Sequence, residues 1–220
     1  MQYLNDPERL MKLLTQLCGG FGTTLSIFGM TLLISLPLGL LVALGRMSKC
    51  RLISAPVSFF ILIMRGTPLM LQLFAVYFFL PKLLGPIPRL NAVYIAFGLN
   101  YAAYFAEIYR SGIQSIPRGQ YEAAEVLGYT RGQTFVRIVL PQVVKRILPA
   151  VGNEVITLVK DTSLAFSIGV AEMFTESRAL VASQRNMVPF AIAAAIYWVT
   201  CLLIEFVLRR VERKLDYYHD

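Results

Sequence analysis

Gln120-Tyr121-Glu122-Ala123-Ala124-Glu125-Val126-Leu127-Gly128-Tyr129-Thr130, continuing to Ile138-Val139-Leu140-Pro141, is a polar stretch set between two segments greasy enough to cross a bilayer. Gln120–Leu127 holds strong helix formers, and Gly128 can take the left-handed conformation that ends a helix. Thr130 suits the cap of a following helix, which runs toward Ile138 and stops near Pro141. The spacing predicts a helix, a glycine turn and a second helix hung from the membrane. Val126, Leu127 and Tyr129 are apolar anchors around the turn for a soluble partner, and Glu122 can face a basic rim.

The rest of the chain explains why such a loop stands out. Hydrophobic residues make up 56% of the 220 and charged residues only 15%, too little polar surface for a soluble domain of this size. Apolar runs longer than about 18 residues without period-2 alternation predict helices rather than a barrel. The fold class is therefore an all-α polytopic membrane protein. The net charge of +8 is distributed as topology demands and not as a nucleic-acid patch. Cys18, Cys50 and Cys201 lack metal-ligand spacing and read as packing residues. The amino terminus has no basic n-region of a cleaved signal. Asp6-Pro7-Glu8 instead reads as a helix start, leading into Leu10, Leu13, Leu14 and Leu17 on one face. That pattern predicts an interfacial helix over 7–18, with Gly19-Gly20 turning the chain into the membrane.

Five spans are expected, at about 21–44, 52–80, 90–109, 147–170 and 189–208, each near the roughly 20 residues that a ~30 Å hydrocarbon slab requires. The second is interrupted at Arg65-Gly66-Thr67-Pro68. Between them lies the long loop 113–146. One set of connections carries 13 Lys and Arg residues and the opposite set 6, with Arg65 and Lys160 inside spans. The richer side is expected to be cytoplasmic, which puts the amino terminus outside, the carboxyl terminus inside and the loop in the cytosol.

Ionisable groups in hydrocarbon cost about 2.5–3.5 kcal/mol each on insertion scales, so Arg65, Glu107, Glu154, Lys160 and Asp161 must face protein or water. Glu154, Thr157 and Asp161 share one face of the fourth span, and Asn153 and Lys160 share the next. Pro68 removes a backbone donor and disfavours helical Thr67, the kind of break tolerated where it lines a cavity. Such a cavity suits a zwitterion. Arg65 or Lys160 would meet a carboxylate, Glu154 or Asp161 an ammonium, and Thr67, Gln72, Asn100 and Tyr104 would add neutral hydrogen bonds. The competing reading is purely structural and pairs Arg65 with Asp161, or Lys160 with Glu107. No Gly-Lys dipeptide occurs, so there is no Walker-type phosphate loop. The sole histidine, His219, sits in the polar tail, which argues against an intramembrane enzyme.

The stretch quoted first resembles the EAA loop of ABC importer membrane subunits. Glu122, Ala123, Ala124, Gly128, Ile138, Leu140 and Pro141 fall on its conserved pattern with both gap lengths kept. Arg65-Gly66-Thr67-Pro68-Leu69, the segment Asn100 to Glu107, and Lys160-Asp161-Thr162-Ser163-Leu164 are similar to the polar amino-acid permease branch, which includes histidine, glutamine, arginine and cystine systems. The resemblance implies a single permease domain over 1–220 in the cell membrane, with a type I importer fold of five spans. It implies ATPase coupling through 120–141, with Glu122, Ala123, Ala124, Leu127, Gly128, Ile138, Leu140 and Pro141 at the contact. It further implies a second permease subunit, identical or sister, an extracytoplasmic binding protein, and separate ATPase subunits that bind the ATP and Mg, leaving this chain without a cofactor or metal. An importer for a different small solute, or an ion channel subunit, is the alternative.

Overall fold

The computed structural model describes residues 7–214, and the expected Asp6 cap and His219 lie outside them. Among the described residues the chain is helical, with no strand. In order come α1 (Pro7–Arg46), α2 (Arg51–Gly66), α3 (Leu69–Phe79), the short α4 (Pro81–Leu84), α5 (Arg89–Gln114), α6 (Arg118–Val126) and α7 (Arg131–Thr134). A π-helical turn (Phe135–Val139) leads into α8 (Leu140–Asp161), which tightens to a 3-10 helix (Thr162–Ile168). α9 (Met173–Gln184) and α10 (Val188–Lys214) complete the chain.

α5 is the spine. It buries Ala92, Val93, Ala96, Phe97, Tyr101, Ala102, Ala103, Phe105 and Ala106, mostly small residues that let neighbouring backbones approach. α1 lies along it in the same direction: Ile34 covers Gly98, and Gly39 faces Phe105 and the Ala102 carbonyl. α8 runs against α5, with Ile147 over Gly112 and Asp161 beside Tyr101. α10 closes on α8 where Leu208 covers Gly152. Its outer face, with Trp198, Leu203, Phe206 and Val207, stays exposed.

Two expectations change here. The chain does not turn at Gly19-Gly20, because α1 continues unbroken for 40 residues from Pro7 to Arg46. The amphipathic leucine face is real, and Leu13 and Leu17 pack on Met173, Leu180 and Ala193 of α9 and α10. Gly20 serves a close crossing: a Cβ there would stand 2.9 Å from the Met173 Cα. The segment expected as an interrupted second span is two helices bent by 111° at the break between Gly66 and Leu69. Thr67 there is extended, at φ −125° and ψ 149°, as a residue before proline must be.

Glycine positions along α1 separate packing from propensity. At Gly39 a Cβ would meet Phe105 Cβ at 2.9 Å and the Ala102 oxygen at 3.1 Å, whereas at Gly29 nothing lies within 4 Å. Gly39→Ala should cost about 1–3 kcal/mol by overpacking. Gly29→Ala should gain about 0.5–1 kcal/mol of helix propensity. Thermal unfolding of the detergent-purified variants checks this, and equal behaviour of the two would contradict the α1–α5 contact.

Candidate functional site

The break after Gly66 organises the site. Because Pro68 has no N–H, the Met64 carbonyl loses its helical donor. It is instead bonded by Gln72 Nε2 at 2.9 Å and Asn100 Nδ2 at 3.0 Å. Gln72 Nε2 also reaches the Thr67 carbonyl (3.1 Å) and Thr67 Oγ1 (2.8 Å), while Thr67 Oγ1 donates to the Ile63 carbonyl at 2.8 Å. Gln72 Oε1 accepts from Asn100 at 2.9 Å. Gln72 and the buried Asn100 thus rebuild the lost ladder from α3 and α5.

Beside this knot is a cavity of about 400 Å³ between α5, α8 and the break, with Thr67, Asn100, Tyr104, Glu154, Thr157 and Asp161 on its walls. Asp161 accepts from Tyr101 at 2.8 Å. A second cavity of about 550 Å³ adjoins it toward the α5–α6 corner, sharing Tyr104 and Glu154 and adding Arg65, Glu107, Arg110 and Arg146. Glu107, only 16% exposed, is a hub. Arg110 holds it through Nε and Nη2, the shortest contact being 2.7 Å, while Arg46 and Arg65 each stand at 3.7 Å.

Of the residues singled out in the sequence, Thr67, Asn100, Tyr104, Glu154 and Asp161 therefore meet in one cavity, with Gln72 behind it and Arg65 next door. Lys160 is not brought there. It is exposed on another face of α8, in a groove with Ile156, Phe174 and Trp198. The alternative ion pairs are not formed either, since Arg65 pairs with Glu107 and Asp161 bonds to Tyr101. Tyr101 and the hub role of Glu107 went unforeseen. A tyrosine inside an apolar span was the available signal, since a buried hydroxyl needs a partner.

The loop has α6 ending at Val126 with Leu127 as its cap, then Gly128 at φ 79°, then α7 capped reciprocally by Thr130 and Gln133. Glu122, Ala123, Leu127 and Gly128 are exposed, and Ala124 is buried. The second helix does not stop near Pro141. A π turn carries the chain past it, with the Leu140 N–H bonded to the Phe135 carbonyl, and Pro141 sits in the first turn of α8. Ile138 and Pro141 are half-buried and Leu140 is exposed, while Ile116, Val139 and Val143 bind the loop to its flanking helices.

At the opposite end, the fully buried Glu172 caps α9. It accepts from the Phe174 N–H (2.7 Å), the Thr175 N–H (2.6 Å) and hydroxyl (2.9 Å), and the Tyr197 hydroxyl (3.1 Å).

A helical core with a polar cavity between its helices and a capped helix–turn–helix loop is the architecture of ABC importer membrane subunits. Residues 35–217 match the family described as binding-protein-dependent transport system inner membrane component, and the chain belongs to it. It is 40% identical over 198 residues to the arginine transport system permease protein ArtQ of Bacillus subtilis, covering 89% of this chain and 90% of that one. It is 38% identical over 204 residues to the L-cystine transport system permease protein TcyB of the same organism, covering 92% and 87%. Among solved structures, an amino acid ABC transporter crystallised with histidines superimposes with a TM-score of 0.87 at 34% identity, over 94% of this chain and 97% of that one. As a member of the family the chain is a multi-pass inner-membrane permease subunit without its own ATPase site. Such subunits work with separate ATPases and a substrate-binding protein.

Burial pushes the Glu172 carboxyl above the ordinary glutamate range, against the pull of its hydrogen-bond donors. A carboxyl raised on folding binds more protons in the folded state. Its stabilisation is therefore fullest at low pH and shrinks as pH rises above the unfolded value of about 4.3. Unfolding temperature should fall with rising pH in that window more steeply for the natural protein than for Glu172→Gln. Glu172→Ala, which also loses the helix cap, should cost about 1–3 kcal/mol.

Proposed function

We propose that this chain is the translocating subunit of an ATP-driven importer for a polar or charged amino acid. The observation that carries the reading is continuity. α8 bears Glu154 and Asp161 in the cavity wall and runs, as one helix with its π turn, straight into the loop at 118–139. The named substrates of the relatives, arginine and cystine, support an amino acid as cargo.

In this reading a solute ammonium or guanidinium meets Glu154 and Asp161, with Thr67, Asn100 and Tyr104 adding neutral hydrogen bonds and Gln72 fixing Asn100. The α-carboxylate meets Arg65 where the adjoining cavity shares the Glu154 wall. In this reading five spans leave the amino terminus outside and the loop and carboxyl terminus in the cytosol, which the 13-to-6 bias of basic residues supports. The exposed Glu122, Ala123, Leu127 and Gly128 engage the ATPase, while Ala124, Ile138, Leu140 and Pro141 shape and anchor the contact. The ATPase subunits hold the ATP and Mg, and this chain holds no cofactor. A second permease subunit, identical or sister, completes the pathway, and an extracytoplasmic binding protein delivers the solute. ATPase closure draws the loops together and opens the cavity outward, and hydrolysis opens it inward.

Two experiments test this. Gly128→Val forces a β-branched residue to φ 79°. It should abolish uptake and the stimulation of ATP hydrolysis by binding protein while leaving membrane insertion intact, and normal uptake would refute the coupling role. Glu154→Gln and Asp161→Asn each remove a charge-assisted contact of about 1.5–3 kcal/mol, so uptake in proteoliposomes should drop roughly 10- to 150-fold. Unchanged rate and preference would leave those carboxylates a structural role only.

A further inference from the structure

Arg65 is the least committed cation at the site. Its guanidinium lies over the Tyr104 ring, 5.3 Å from the centroid, and 3.7 Å from Glu107, a carboxylate that Arg110 already grips by hydrogen bonds. No hydrogen bond to Arg65 Nη1, Nη2 or Nε joins it to another described residue, and 44% of its side chain is exposed, facing the larger cavity. A guanidinium with five donors, whose close contacts are one long ion pair and one aromatic ring, keeps donors open to an incoming carboxylate. Tyr104, the ring it covers, stands in the wall common to the two cavities, together with Glu154.

We propose that the larger cavity is a second station for the solute, on the release side, in which Arg65 receives the α-carboxylate, and that doing so unlatches Arg65 from Tyr104 and Glu107. The inference rests on the amino-acid import reading above. Arg65 holds the Tyr104 ring in the wall common to both cavities, and on this proposal that ring shuts the route from the Glu154–Asp161 chamber to the loop side. An arriving carboxylate offers the fork two parallel bonds where Glu107 offers one long ion pair. The guanidinium then leaves the ring, and Tyr104 is free to swing aside. Glu107 does not become an orphan charge, because Arg110 and Arg46 still face it. Glu154, on both walls, holds the ammonium end during the hand-over. The device favours solutes with a free carboxylate and keeps the membrane sealed when none is present.

The test uses the permease purified with its ATPase, without binding protein. Radiolabelled L-arginine and L-glutamine are compared with agmatine and 4-aminobutanamide, which lack only the carboxylate, and with inorganic phosphate as competitor. The natural complex should hold each amino acid at least tenfold tighter than its amine, with phosphate displacing neither. In Arg65→Gln that preference should fall to within twofold. In Arg65→Lys, which keeps the charge but not the fork, it should fall three- to tenfold, and this variant serves if the first does not assemble. Reconstituted Arg65→Gln and Tyr104→Ala should leak preloaded amino acid without ATP at least tenfold faster than the natural complex. An unchanged preference in Arg65→Gln and Arg65→Lys, or displacement by phosphate, overturns the station, and tight vesicles of both leak variants overturn the latch. Either failure leaves import itself standing, whereas a natural complex that neither binds nor transports any amino acid defeats the import reading and this inference together.

Discussion

A carbonyl set free in hydrocarbon must find a donor, and the carbonyl of Met64 is the one around which this subunit is arranged. Pro68 cannot supply the helical N–H, so α2 ends and the chain swings through 111° into α3. The substitute donors are amides on two other helices, Gln72 and Asn100, which also bond each other. That arrangement fixes α2, α3 and α5 at one point and leaves Thr67 at the cavity edge. The break is thus stabilised and polar at once. A continuous helix would have needed no such amides and would have left no opening beside them.

The second requirement is close approach. α5 presents alanines and glycines on the faces that meet α1 and α8, and the contacts at Gly39, Gly98 and Gly112 are too tight for a side chain. Lipid offers no hydrophobic drive for helices to associate, so packing and interhelical hydrogen bonds do that work. The polar ties sit at different depths: Glu107 with its three arginines, Tyr101 with Asp161, and Glu172 with Tyr197. Each brings side chains of different helices together, Arg46 and Arg65 reaching Glu107 from α1 and α2 and Tyr101 reaching Asp161 across from α5, and spacing along one helix does not show which will meet.

Much of the design was legible in the chain. The loop announced itself through Gly128 and Thr130, whose left-handed and capping geometries are local properties of those residues. The helix break was written in Thr67-Pro68. Glu154, Thr157 and Asp161 share a wall because the helical period put them on one face. The misreadings have a common cause. Gly19-Gly20 looked like a turn because glycine breaks isolated helices, yet in α1 its absent side chain admits α9. Lys160 looked like a cavity residue because it neighbours Asp161, but adjacent positions on a helix point about 100° apart, and that rotation carries it to another groove. Tertiary partners settle such cases, and a single sequence does not contain them.

Pro141 shows how a local rule yields a mechanical part. A proline within a helix leaves the carbonyl four residues earlier without a donor and crowds it, which would ordinarily kink or end the rod. Here the preceding turn widens instead, the Leu140 N–H reaching back to Phe135, and α8 proceeds without interruption to Asp161. The loop is therefore joined to the cavity wall by one continuous helix, which has Pro149 within it and a widened turn at its base. A fully regular helix would transmit every tilt of the loop unchanged, and a broken one would transmit none. The widened turn lies between these limits, and Val139 within it is buried against Ile116, just past the end of α5, and Val143 of α8, with Ile113 of α5 packed beside them. In the proposed cycle this makes α5 the fixed frame and α8 the moving wall. That assignment agrees with the distribution of the cavity residues: Asn100, Tyr101 and Tyr104 on the frame, and Glu154 and Asp161 on the part that moves.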